Sequence, residues 1–198
     1  MGIYERTDFR HIEGAMKTPT LAERLGTTPH ISPLLQKAKR FGLRSPELLE
    51  GLGVARGCQH YWSPELVSVP AVSESDFSNE ELAVALLSPC LAYSPHTIRV
   101  GAAMLGATGN DITLLARLAV AERCVTQIRY VAGAARQFEP NNPFWRQLLD
   151  ALPQSPPLKD GVMPHPTRFV SMTGMTRAGV RPVTIWNRPH PDMALPCG

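Results

Sequence analysis

Between Ser78 and Leu152 the chain repeats one local arrangement. A small polar residue, often with proline directly after it, precedes apolar residues three and four apart, and a glycine or proline follows. Those are the requirements of a helix at its start, along its buried face and at its end. Ser78-Asn79-Glu80-Glu81 reads as a capping box, with the Ser hydroxyl and the Glu carboxylate each taking up a free amide of the first turn. The helix it opens, through residues 82–87, stops near Pro89. Ser94-Pro95 opens a second helix, on which Ile98, Gly101, Ala102 and Leu105 share a face before Gly106 and Gly109 end it. Asn110 or Asp111 caps a third and longest helix, expected to reach Phe138 ahead of Pro140. Its Leu114, Leu118, Ala121, Val125, Ile128, Ala132 and Ala135 form one continuous seam. Asn142-Pro143 begins a fourth, with Phe144, Leu148, Leu149 and Leu152 on its apolar face and Trp145 beside them.

These signals predict a mainly α protein. Its centre is an antiparallel bundle of about four core helices over residues 78–152, because the connections between them are short. Short N-terminal helices are expected at 20–25, 31–41 and 45–52, the last opened by Ser45-Pro46-Glu47 and stopped by Gly51 or Gly53. The chain divides into a short-helix segment (1–56), a linker or wrapping segment (57–77), the helical core (78–153) and a Pro-rich basic arm (154–198). In the linker, Trp62 is expected to bury its ring. In the arm, residues 168–173 and 182–187 alternate and favour β structure, which predicts a hairpin within an otherwise extended arm. Proline, 19 of 198 residues, keeps that end from forming a long helix. No period of the length used by helical solenoids recurs.

The chain is long enough to bury a core without disulfide or metal staples. No apolar run approaches the ~18 residues a membrane-crossing helix needs. The charged start, MGIYERTDFRHIEG, lacks the apolar stretch of a secretion signal, and Arg6 stands where a myristoylation signal has Ser or Thr. The expectation is therefore a cytoplasmic protein with Cys58, Cys90, Cys124 and Cys197 reduced, and no membrane partner.

The net charge of +3 hides a division: residues 61–98 contain five acids and neither Lys nor Arg, and basic segments lie on both sides. Either the segments pair within the molecule or the basic ones form a surface for a polyanion. Arginines outnumber lysines sixteen to four. On the third helix, Arg117, Arg123, Arg129 and Arg136 mark a solvated or an anion-contacting face. The most basic stretch is the arm, with Arg168, Arg177, Arg181 and Arg188 and no acid between residues 163 and 191.

Motifs that would fix a chemistry are sparse. Leu21-Ala22-Glu23-Arg24-Leu25-Gly26 resembles the first helix and turn of a helix-turn-helix, with residues 32–40 as the second helix and Gln36, Lys37, Lys39 and Arg40 placed for phosphates or base edges. Ile31, one position early, and Pro33 count against that resemblance, and a core helix with a solvated basic end accounts for the same residues. Gly174 and Gly179 have the gap of a phosphate-binding loop, but Val180-Arg181 replaces its Lys and Ser/Thr, which excludes a nucleotidase of that type. Cys58-Gln59-His60 is a lone close pair without the second pair zinc requires, so no metal and no cofactor is expected.

The leading expectation is a non-enzymatic helical binding protein, with Lys37, Lys39, Arg40, Arg168, Arg177, Arg181 and Arg188 contacting nucleic acid or an acidic protein partner. Its Ala-rich third helix would allow self-association into a homo-oligomer. The alternatives are a structural subunit of a larger complex, or an enzyme for an anionic substrate built from Arg129, His165, Arg168 and His190 where the arm meets the helices.

Overall fold

The computed structural model describes residues 18–28, 30–58, 61 and 69–166, together with the backbone of residues 175–176 and 179–180. Among the described residues the protein is mainly helical. Its helices, in chain order, are α1 (Leu21–Leu25), α2 (Pro33–Arg40), α3 (Pro46–Ala55), α4 (Asn79–Leu86), α5 (Pro95–Leu105), α6 (Ile112–Ala121), α7 (Val125–Phe138) and α8 (Pro143–Ala151). β1 (Met175–Thr176) and β2 (Gly179–Val180) pair antiparallel, Met175 opposite Val180. This pair falls in and beside the stretch expected as the turn, residues 174–179, whereas the strands expected at 168–173 and 182–187 lie outside the described residues, as does Trp62.

Most helices start where a side chain can take up their free amides. Ser78 Oγ accepts from the Glu81 amide at 3.2 Å while Glu81 Oε2 accepts from the Ser78 amide at 2.9 Å, the reciprocal box read from the sequence. The Ser94, Asp111 and Asn142 side chains accept from first-turn amides of α5, α6 and α8, without the reciprocal bond. Glutamates buried in the core make a second set of contacts at helix starts. Glu80 on α4 accepts from the Asp111 amide at 2.7 Å, at the start of α6. Glu50 on α3 accepts from the Thr97 hydroxyl in the first turn of α5. Glu122 accepts from Ser32 Oγ at 2.5 Å and from the Leu34 amide at 2.8 Å, at the start of α2. A carboxylate is favoured there by the partial positive charge of a helix N-terminus, which is how three acids tolerate burial.

The helix expected to run unbroken to Phe138 is two helices. Neither glycine nor proline separates them; Arg123 takes a left-handed backbone with φ of 54°. The Arg123 and Cys124 amides then bond back to Val120 and Ala119 at 3.2 and 2.9 Å and close α6. That conformation costs a residue with a side chain about 1–2 kcal/mol, offset by the bonds Glu122 makes to α2. The seam shifts with the break. Leu115 and Ala119 are the buried positions of α6, and Ala121 is exposed, whereas Ile128, Ala132 and Ala135 of α7 are buried as expected.

A single apolar cluster runs from Leu21 to Met163 and draws on both the N-terminal helices and the 78–152 block. α4 lies against α5 and α6, α3 against α5 and α4, and α8 against α7 and α6. Gly53 and Gly101 let backbones meet: a Cβ on Gly53 would stand 2.9 Å from Val100 Cγ1, and one on Gly101 2.9 Å from Leu86 Cβ. Gly51 and Gly53 were expected to stop α3, yet the helix continues to Ala55, because what these positions require is close packing. Trp145, expected beside the apolar face of α8, is its centre. The ring is fully buried, edge-on to Phe144 at 5.0 Å, and its Nε1 donates to Glu139 Oε2 at 2.8 Å. Tyr61 and Phe77 bury the two ends of the wrapping segment.

Candidate functional site

The positions expected to meet an anion fare differently. Lys37 is paired intramolecularly, donating to both Glu81 carboxylate oxygens at 2.6 and 2.7 Å while its side chain stays partly exposed. Lys39 and Arg40, at the end of α2, are exposed. Arg168, Arg177, Arg181 and Arg188 have side chains outside the described residues. On α1 and α2 the helix-turn-helix positions are partly drawn into other work. α1 is five residues long and its Leu21 and Ala22 amides bond to Leu91 and Pro89 carbonyls. Pro33, which counted against the resemblance, is the first residue of α2.

The acidic segment is held from within. Besides the Lys37–Glu81 pair, Arg56 donates to Asn79 Oδ1 at 3.0 Å and to the Phe77 carbonyl at 2.6 Å. Burial lowers the pKa of this guanidinium, opposed by Glu74, Glu81 and Glu80 around it.

Arg129 is hydrogen-bonded within the protein. Its Nη1 donates to the Leu149 and Leu152 carbonyls at 2.9 and 3.1 Å, closing the C-terminus of α8. His165 is exposed beside a hollow of about 270 Å³ shared with Tyr130, Lys159 and Asp160. His190 and Arg168 lie outside the described residues.

Two polar groupings that no sequence motif marks stand out. In the first, His96 Nδ1 is 3.1 Å from Glu50 Oε2, the Tyr61 ring stands edge-on to His96 at 6.0 Å, and the Arg99 guanidinium sits 5.5 Å from the Tyr61 ring centre. Burial pushes the Tyr61 phenol up, with Arg99 pulling the other way. Glu50 orients the imidazole, but its other oxygen is bound to Thr97 and ties α3 to α5. No described residue donates to or accepts from His96 Nε2. The signal in the sequence was Glu50 itself, a lone acid in the apolar run Leu48-Leu49-Glu50-Gly51-Leu52.

The second is a cleft of about 400 Å³ where α7 begins. It is lined by Arg123, Thr126 and Gln127, by residues 23–27, and by Pro156, Pro157, Leu158, Lys159 and Val162. The α7 N-terminus has no side-chain cap: Cys124 occupies the cap position and its side chain bonds no amide of the helix. Gln127 is 1% exposed, and its Nε2 has no hydrogen-bond partner. Arg123 and Lys159 are exposed. Arg24 is already used, donating to the Gly161 carbonyl at 2.6 Å with its guanidinium 3.8 Å over the Tyr93 ring. Glu23 accepts from the Thr20 amide at 2.6 Å.

Among the described residues no three His, Cys, Asp or Glu side chains come together as a metal site, and no helix is long and apolar enough to cross a membrane. No protein-family model, curated protein or solved structure matches this chain.

Proposed function

We propose that this chain is a non-enzymatic cytoplasmic binding protein whose partner is nucleic acid, held through phosphate contacts. The observation that supports this is the division of charge between inside and outside. Glu50, Glu80 and Glu122 are buried, whereas no described Lys or Arg is. The solvent boundary is thus more cationic than the whole-chain +3 suggests. Lys39, Arg40, Arg117, Arg123, Arg136 and Lys159 are exposed there. In this reading the 78–152 helices are the antiparallel scaffold, and the basic arm, with Arg168, Arg177, Arg181 and Arg188, adds the remaining phosphate contacts. Affinity should fall steeply with salt and depend little on sequence, because released counterions drive it.

Gel shifts on duplex and single-stranded oligonucleotides at about 50 and 200 mM salt test the proposal. The expected result is binding that weakens by at least about tenfold across that range and again on Lys39→Glu/Arg40→Glu. Absence of binding, or binding indifferent to salt, refutes it. A second reading, a subunit of a larger assembly, draws on Val120, which is 52% exposed above a shallow apolar hollow with Ala116, Ala121, Ala151 and Pro153. On that reading Val120→Asp should lower the mass of the native particle in sedimentation. The Ala-rich face of α7 does not supply the contact: Ala132, Ala134 and Ala135 are buried within the protomer.

A further inference from the structure

We propose that the cleft at the start of α7 is a discrete binding site for the phosphoryl group of a small phosphate monoester. It is independent of the nucleic-acid reading and would stand if that reading fell.

Every helix start leaves amides without intrahelical partners. Among the longer helices described, α2, α4, α5, α6 and α8 meet that need with a side chain, and α3 begins with a proline that has no amide to offer. α7, fourteen residues long, has neither device. Glu122, the nearest acid in sequence, is turned to α2 instead. An open helix start with its partial positive charge favours a phosphate, sulfate or carboxylate. By itself that is a common feature of proteins.

Gln127 makes this one specific. Gln127 is one of the residues around the cleft, its side chain is buried, and its Nε2 has no hydrogen-bond partner. An orphaned buried donor costs about 1–3 kcal/mol, and such groups usually mark a missing partner. A half-turn of the amide exchanges its nitrogen and oxygen, so the donor can be presented from either end. A phosphoryl oxygen would remove the penalty. The Thr126 hydroxyl, the Arg123 guanidinium and the Lys159 ammonium line the same space and supply further donors and two charges for a dianion. The left-handed backbone at Arg123 fits this use, since it sets a cationic residue directly before the open amides.

One carboxylate, Glu23, also lines the cleft, but the Thr20 amide and the capping box at α1 hold it. Arg24 beside it offsets its charge. The cleft also has apolar lining from Leu25, Pro156, Pro157, Leu158 and Val162. Its volume exceeds what a lone phosphate fills and lies within the range of small-molecule sites. The ligand is therefore a phosphate on a compact, partly apolar body rather than a free ion.

The test is a titration of the ¹⁵N-labelled full chain with phenyl phosphate, inorganic phosphate and phenol, each followed by amide shifts. Phenyl phosphate should move the Val125, Thr126 and Gln127 amides saturably, more tightly than inorganic phosphate, and phenol should not move them. Gln127→Leu removes the unsatisfied donor without loss of volume, so the fold should be unharmed while affinity falls about tenfold or more. Lys159→Ala, a surface change, should weaken binding in the same direction, and Arg123→Gly keeps the backbone conformation while removing the charge. Still amides, or binding equal in wild type, Gln127→Leu and Lys159→Ala, would overturn the assignment.

Discussion

Removing the carboxylate of Glu122 tests whether buried acids hold the helices together. Glu122 is 3% exposed and accepts from the Ser32 hydroxyl and the Leu34 amide; Ser32 is itself 5% exposed. In Glu122→Ala both donors lose their acceptor where water does not reach. Each orphaned donor costs about 1–3 kcal/mol. Part of that is offset because a desolvated carboxylate is no longer buried. The expected net loss is about 3 kcal/mol, a large share of the ~5–15 kcal/mol that keeps a domain folded. With a urea m-value of about 2 kcal/mol/M, the unfolding midpoint should fall by about 1.5 M with the slope unchanged. Glu122→Gln retains one acceptor oxygen but turns an amide nitrogen toward the second donor, and should lose roughly half as much. Hydrogen exchange localises the effect: the Leu34 amide should lose protection first. A Glu122→Ala midpoint within about 0.25 M of wild type, or unchanged protection at Leu34, would refute the reasoning.

The two glycines Gly101 and Gly133 should respond in opposite directions to alanine. Gly101→Ala forces a methyl onto Leu86 and Leu87 at 2.9 and 3.0 Å and should destabilise by about 1–3 kcal/mol. Gly133→Ala meets nothing within 4 Å and should stabilise by up to ~1 kcal/mol through helix propensity; urea melts of the two variants check this. At alkaline pH the buried thiols should weaken the fold. Burial pushes Cys58 up to about 12 and raises Cys124 as well, while unfolded thiols ionise near ~8.5. The unfolded state therefore releases its protons first. Stability is whole below about pH 8.5 and declines as pH rises toward the folded values, by at most ~1.4 kcal/mol per pH unit for each thiol. A thermal-melt series should show the decline, and Cys58→Ala/Cys124→Ala should flatten it; a wild-type profile flat from about pH 8 to 11 contradicts the assignment.

Helix starts were legible because capping is local chemistry. Ser78, Ser94 and Asn142 sit one residue ahead of α4, α5 and α8, and Asp111, one of two candidates, caps α6. The division between α6 and α7 was hidden for a physical reason. Leu118, Ala121, Val125 and Ile128 keep helical spacing across it, and the compensation for a left-handed Arg123 comes from α2, far away in sequence. The candidate cleft was illegible for the same reason: Gln127 is an ordinary polar residue of a helix until its neighbours are known. Arg129 reads from the sequence as a residue of a solvated or anion-contacting face, but its partners are the carbonyls at the end of α8, which no spacing rule reveals. Lys37 illustrates the converse. Its charge was plain, and only the approach of α4 brings Glu81 to neutralise it.

The glutamate crosslinks also set how the molecule can assemble itself. The separations they span are 90 positions for Ser32 and Glu122, 47 for Thr97 and Glu50, and 31 for Asp111 and Glu80. During synthesis, α2 lacks its distant acceptor until residue 122 has emerged from the ribosome. A cut anywhere between residues 80 and 97 separates all three of these pairs. The two pieces would then have to find each other as a complementing pair, and neither half is a self-sufficient unit.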